Sequence, residues 1–167
     1  DEPVVRNLAL GKTVTVSGTS DGNKDLVNDG DTSTKWDSNA MKSGSTDTGD
    51  AWIYIDLGEE ETYEISQIVV RYFNKIYPTS WVIQSSDDGE NWTDVTDVMT
   101  KADNGPTHPV ETVDFEEPFT ARYVRLYFNT LNTAAAGNGV GITELEIYGK
   151  EIVETPVPTP TPTPTPT

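Results

Sequence analysis

Asp29, Asp31 and Thr34 set hard oxygen atoms along one short turn, Asp29-Gly30-Asp31-Thr32-Ser33-Thr34-Lys35-Trp36. Gly30 eases the backbone through the bend, and Trp36 gives the turn a large apolar ring with which to hold to a core. Closely spaced oxygen donors are the ligand chemistry that Ca²⁺ prefers. The EF-hand frame is not met here, so an ion would need carbonyls and at least one carboxylate from elsewhere in the chain. A solvated acidic turn without metal is the alternative that these residues alone leave open. Other chemistries have less to work with. Cysteine is absent, which removes disulfides, thiolate nucleophiles and zinc-thiolate sites, and the one histidine, His108 between Thr107 and Pro109, reads as a surface residue. Hydrolysis would need two carboxylates aimed across a cleft, and the best-placed acids already sit on the acidic turn.

The elements that must position this turn read as strands. Val14 and Val16 alternate with threonines, and Asp25 to Asn28 is long enough for one helical turn. Ile53, Ile55 and Leu57 alternate with Trp52, Tyr54 and Asp56, and Gly58 ends that strand. Further strands are predicted over residues 65–72, 81–85, 110–115, 123–128 and 142–148, separated by Gly, Pro, Asn and Asp clusters. About eight short strands with nothing helical longer than a turn predict an all-β antiparallel β-sandwich. Between them lie long polar loops, residues 37–50 and 129–141, and a shorter one, residues 73–80, in which Tyr77-Pro78 can hold an aromatic ring at a tip. Ser86-Asp87-Asp88-Gly89-Glu90-Asn91-Trp92 has the look of a propeller Asp-box, but a propeller needs many repeats; one copy predicts a stabilised hairpin. Trp36, Trp52, Trp81 and Trp92 all fall beside or within strands, which predicts core or sheet surface.

The chain has 167 residues, with 28 Asp and Glu against 11 Lys and Arg, for a net charge of −17. That balance argues against nucleic acid and anionic membrane as partners and leaves neutral or cationic ligands open. No apolar run approaches the ~20 residues needed to cross a bilayer, and no signal-peptide pattern is visible at Asp1. Thr-Pro repeats dominate the last residues and predict an extended polyproline-like spacer. The expected organisation is a β-sandwich module over 1–152 and a linker over 153–167, secreted and monomeric, tethered through the linker to a catalytic domain.

The order of these features resembles the discoidin, or coagulation-factor type C, superfamily, and within it the bacterial family 32 carbohydrate-binding modules. The resemblance covers residues 7–150 and rests on Asn7-Leu-Ala-Leu-Gly-Lys12, Asp29-Gly30-Asp31 to Trp36, Trp52-Ile-Tyr-Ile-Asp-Leu-Gly58, Ser86-Asp87-Asp88-Gly89 to Trp92, Ala121-Arg-Tyr-Val-Arg-Leu126 and Ile142-Thr-Glu-Leu-Glu-Ile-Tyr-Gly149. It implies a discoidin-like jelly roll with a structural Ca²⁺. The ligands would be main-chain carbonyls of Leu26, Asp31 and Thr143, carboxylates of Asp29 and Glu144, and both oxygens of Thr34. Galactose-binding members carry a His after the loop Trp, an Arg followed by Asn or Gln, and an aromatic in the last loop. Here Asp37 and Phe73 occupy the first two positions, residues 129–141 hold no aromatic, and Asn74 alone matches. A different sugar is therefore expected on the same rim of loops. Phe73, Asn74, Lys75 and Tyr77 offer a ring, an amide and a cation in one short loop, with Asp21, Asn39 and Asn138 in reach from neighbouring loops.

The expected function is a non-catalytic module that binds polysaccharide or oligosaccharide and targets an appended glycoside hydrolase, with plant cell-wall mannan as the expected glycan. The alternative is an adhesion or protein-interaction domain, whose discoidin relatives usually carry a terminal cysteine pair and, for membranes, apolar spikes among basic residues. Neither feature is present.

Overall fold

The computed structural model describes residues 2–18, 23–38, 51–103, 105–132, 139–153 and 156–166. In chain order the elements are β1 (Arg6–Asn7), β2 (Thr13–Val16), a 3-10 helix (Lys24–Asn28), β3 (Trp36–Asp37), β4 (Ala51–Asp56), β5 (Tyr63–Tyr72), β6 (Pro78–Ser86), β7 (Thr93–Asp94), β8 (Met99–Thr100), β9 (Val110–Thr120), β10 (Tyr123–Leu131) and β11 (Gly141–Glu151). One sheet runs β1-β11-β5-β9 with β3 also on β11, and the other runs β2-β4-β10-β6-β7 with β8 also on β6. Every pairing is antiparallel. The sandwich expected from the sequence is therefore the architecture found. The eleven strands among the described residues exceed the predicted number because β1, β3, β7 and β8 are two-residue pairings, too short to carry a period.

The alternation in β4 shows how the sheets face each other. Ala51, Ile53 and Ile55 are buried while Trp52, Tyr54 and Asp56 are half-buried on the outer face, and the inward set meets Ile65, Ile68, Leu126, Leu145 and Ile147 in one core. Trp36 and Trp81 belong to that core, whereas Trp52 and Trp92 lie on the outer face of the second sheet, where Arg125 sits 4.0 Å above the Trp92 ring.

Two features place the acidic turn. Asn28 is buried and donates through Nδ2 to the carbonyls of Ala9 (2.6 Å) and Lys12 (2.9 Å), fastening the 3-10 helix to the chain ahead of β2. The outer edge of β11 is paired by β1 at Tyr148 and Gly149 and by β3 at Gly141 and Ile142, with no strand pairing that edge between them among the described residues. The acidic turn lies against that stretch, where the Gly30 N–H donates to Glu144 Oε1 at 3.2 Å. On the other edge of β11 the register skips a residue between Ile142 and Glu144, so Thr143 is the extra residue of a β-bulge.

Candidate functional site

At the acidic turn, local hydrogen bonds first shape the backbone. Asp29 Oδ1 accepts from the Asp31 N–H at 2.8 Å, and Asp31 Oδ1 accepts from Ser33 through N–H (2.9 Å) and Oγ (2.6 Å), which holds the Asp31 carboxyl below its usual range. Thr34 Oγ1 is the meeting point. It lies 2.9 Å from Asp29 Oδ2, 2.9 Å from the Asp31 carbonyl and 3.5 Å from the Leu26 carbonyl. One hydroxyl proton serves only one of these acceptors at a time, so the oxygens outnumber the hydrogens between them.

Glu144 sharpens the imbalance. Its side chain is 2% exposed, Oε1 receives one long hydrogen bond and Oε2 has no partner. Burial pushes this carboxyl up to about 7, the Gly30 N–H opposes the rise, and the negative charge of Asp29 adds to it. Leu26, Asp29, Asp31, Thr34 and Glu144 are thus brought together, with Thr143 next along β11. Among the described residues no group of three or more His, Cys, Asp or Glu side chains gathers as a metal site, so a cation held here would depend on carbonyl and hydroxyl oxygens as much as on carboxylates. A hard ion such as Ca²⁺ suits that donor set and would neutralise the orphaned Glu144 oxygen.

The predicted sugar residues fare differently. Asp21, Asn39 and Asn138 lie outside the described residues. The tip of the loop at 73–80 is shorter than expected, because β6 already begins at Pro78. Tyr77 is fully buried against Tyr72, with ring centroids 6.2 Å apart, and no face of its ring reaches solvent. The expectation of a stacking platform at Tyr77 is corrected: the residue leads directly into β6 with its ring turned inward, where Lys101 lies 5.6 Å from its centroid. Lys75 is half-buried, and its carbonyl accepts from Asn132 Nδ2 at 3.3 Å.

Phe73 and Asn74 do reach the rim, and they meet residues that sequence reading left aside. Lys35 Nζ sits 4.5 Å from the Phe73 ring centroid and pairs with Asp37. The His108 ring stands edge-to-face to Phe73 at 5.4 Å. Asn74 and His108 are the non-glycine residues at positive φ among those described, 53° and 52°, and the His108 N–H donates to the Asn74 carbonyl at 2.9 Å. A left-handed backbone at such a residue costs on the order of 1 kcal/mol or more, and such costs concentrate at functional sites. Beside this pair opens a cavity of about 370 Å³, lined by Thr32 and Ser33 of the acidic turn, Arg71, Phe73, His108 and Thr143, among others. No sequence pattern marks His108, because a residue before proline is ordinarily extended and its left-handed backbone arises only in the fold.

A family model described as "F5/8 type C domain" matches residues 12–145. The chain belongs to that family. Similar solved structures include chitosan-binding module 2 of a chitosanase/glucanase from Paenibacillus sp. IK-5, in complex with chitotriose. It is 32% identical, with a TM-score of 0.67, covering 86% of this chain and 100% of that one. Chitosan-binding module 1 of the same enzyme is 30% identical over 86% of this chain and 99% of its own, also with a TM-score of 0.67. The family 32 carbohydrate-binding module of Clostridium perfringens NanJ, in complex with galactose, is similar in fold at 20% identity and a TM-score of 0.67, covering 87% of this chain and 99% of that one. No curated protein sequence matches the chain.

Proposed function

We propose that this F5/8 type C domain is a non-catalytic carbohydrate-binding module that holds an appended glycoside hydrolase against polysaccharide. Its contribution is effective concentration, with no bond made or broken by the module itself. The single observation that carries this reading is the likeness, over the full length of the neighbour, to a chitosan-binding module in complex with chitotriose. In this reading the β-sandwich spans 1–152, residues 153–167 are the spacer to the catalytic domain, and the protein works outside the cell as a monomer. A structural Ca²⁺ held by Leu26, Asp29, Asp31, Thr34, Thr143 and Glu144 would tie the acidic turn to the last strand; the orphaned oxygen of Glu144 supports it.

The glycan is proposed to be neutral, with plant cell-wall mannan first, because the Thr-Pro spacer resembles those of secreted polysaccharidases. Chitosan is the second reading, favoured by the neighbours at 30% and 32% identity and by a net charge of −17, which would attract a polycation. Affinity electrophoresis and isothermal titration against mannan, chitosan and galactose-bearing glycans test the proposal. Binding in the millimolar to micromolar range, about −4 to −8 kcal/mol, is expected for a shallow rim site. Silence across the whole panel overturns it.

A further inference from the structure

With Tyr77 buried, the rim must offer its ring elsewhere, and His108 is exposed where Tyr77 is not. Its position is fixed from two directions. The His108 N–H donates to Asn74, and the carbonyl of the next residue, Pro109, accepts from the Tyr72 N–H at 3.0 Å. Phe73 braces the imidazole edge-to-face and is itself engaged by Lys35, so the histidine ring is held in place while the phenylalanine serves as its support. Asn74 takes its left-handed backbone in the turn that joins β5 to β6, closed by the Ile76 N–H donating to the Phe73 carbonyl at 3.2 Å, and its own carbonyl receives the N–H of His108, the other left-handed residue.

We propose that the cavity between the acidic turn and His108 is a saccharide subsite that takes an uncharged pyranose, with the imidazole against the apolar C–H face of the sugar. Thr32 and Ser33, in the same lining, supply hydroxyls. Ser33 Oγ spends its proton on Asp31 Oδ1 at 2.6 Å and keeps its lone pairs for a sugar hydroxyl. The volume, about 370 Å³, falls in the range of small-ligand sites. Charge sets the class of sugar. Arg71 lines the cavity, paired with Glu146 at 3.3 Å, and Lys35, paired with Asp37, stands at the adjoining Phe73 ring, while no carboxylate is among the described lining residues. An ammonium-bearing sugar would find no carboxylate in that lining to pair with, while an uncharged one meets donors and acceptors for its hydroxyls.

This inference rests on the reading of the chain as a carbohydrate-binding module, and the experiment separates the two. The whole chain with calcium is titrated with mannotriose and with the glucosamine trimer, by calorimetry and by amide and imidazole NMR shifts. The comparison variant is His108→Asn, because asparagine accepts a left-handed backbone and leaves the fold undisturbed. Mannotriose is expected to bind, to shift Ser33 and His108, and to bind His108→Asn at least about tenfold more weakly. If the wild type binds mannotriose while the variant binds equally well, or the shifts fall elsewhere, the subsite is wrong and the module reading stands. A preference for the glucosamine trimer at His108 overturns the uncharged class. No binding of either trimer or of any polysaccharide overturns both readings together.

Discussion

Two acidic turns in this protein have similar composition and opposite electrostatics. In the hairpin turn between β6 and β7, the Asp88 carboxylate accepts from Ser86 Oγ (2.9 Å), the Glu90 N–H (2.8 Å), the Asn91 N–H (2.7 Å) and Asn91 Nδ2 (2.7 Å). Donors from its own turn hold that carboxyl far below its usual range. At the turn between the 3-10 helix and β3, the oxygens of Asp29, Asp31, Thr34 and Leu26 gather around one hydroxyl proton, and Glu144 arrives from β11 with an orphaned oxygen. Its pKa is pushed up to about 7. An acidic turn is complete when its donors lie in its own few residues. When a distant strand adds another carboxylate, the turn needs positive charge from outside.

Four experiments break or sharpen that contrast, taken from the largest expected effect to the smallest. Calcium at about a hundred times its Kd should add about 2.7 kcal/mol to the stability of the wild type. Glu144→Gln should lose that gain while being at least as stable as the wild type in EDTA. Melting curves unchanged by EDTA would remove the cation from the account. In EDTA, stability should also fall with rising pH. The folded Glu144 holds its proton up to about 7 against an ordinary value of 4.5, so its contribution is full below the lower value and lost as pH climbs through the higher. The loss is on the order of 2 kcal/mol, read from denaturant melts at pH 4.5 and 8. A flat profile would show that Glu144 is ionised without difficulty in the metal-free fold.

Gly30 and Gly89 provide a matched pair. Both have positive φ, 83° and 76°, and an added Cβ would meet a side-chain atom at 3.2 Å (Leu10) and 3.3 Å (Tyr123). Alanine at either should cost about 1 kcal/mol, but only Gly30→Ala should also weaken calcium binding by calorimetry, since strain at residue 30 would shift the turn whose N–H meets the Glu144 carboxylate. Equal calcium affinity in both variants would separate the turn from the ion. The smallest effect is expected for Asp88→Asn, a slight drop in melting temperature that is the same with calcium and with EDTA.

Much of the fold was legible in the chain, and less of the site. Ile53, Ile55 and Leu57 announced an inward face by strict alternation, and all three are fully buried. Two-residue strands such as β1 and β3 could not be read, because a period needs more than two positions, yet they bracket the β11 edge on which the acidic turn rests. Tyr77 was misjudged because a residue beside proline in a polar loop resembles a tip, and the early start of β6 turned it into core. His108 looked idle because its value comes from Phe73 and Asn74, more than thirty positions earlier in the chain.

The order of apolar and polar residues alone determined an antiparallel sandwich, because alternation selects a buried face wherever a strand forms. It also determined a cysteine-free acidic protein with an oxygen-rich turn at Asp29 to Thr34. Tertiary structure decided which of those oxygens lack protons and which ring faces solvent. Both depend on distances between segments far apart in the chain: Gly30 to Glu144 at 3.2 Å, and His108 to Phe73 at 5.4 Å. Hydrogen-bond supply and ring exposure are properties of a place in space, and residues in sequence acquire them only when the sheets close around one another.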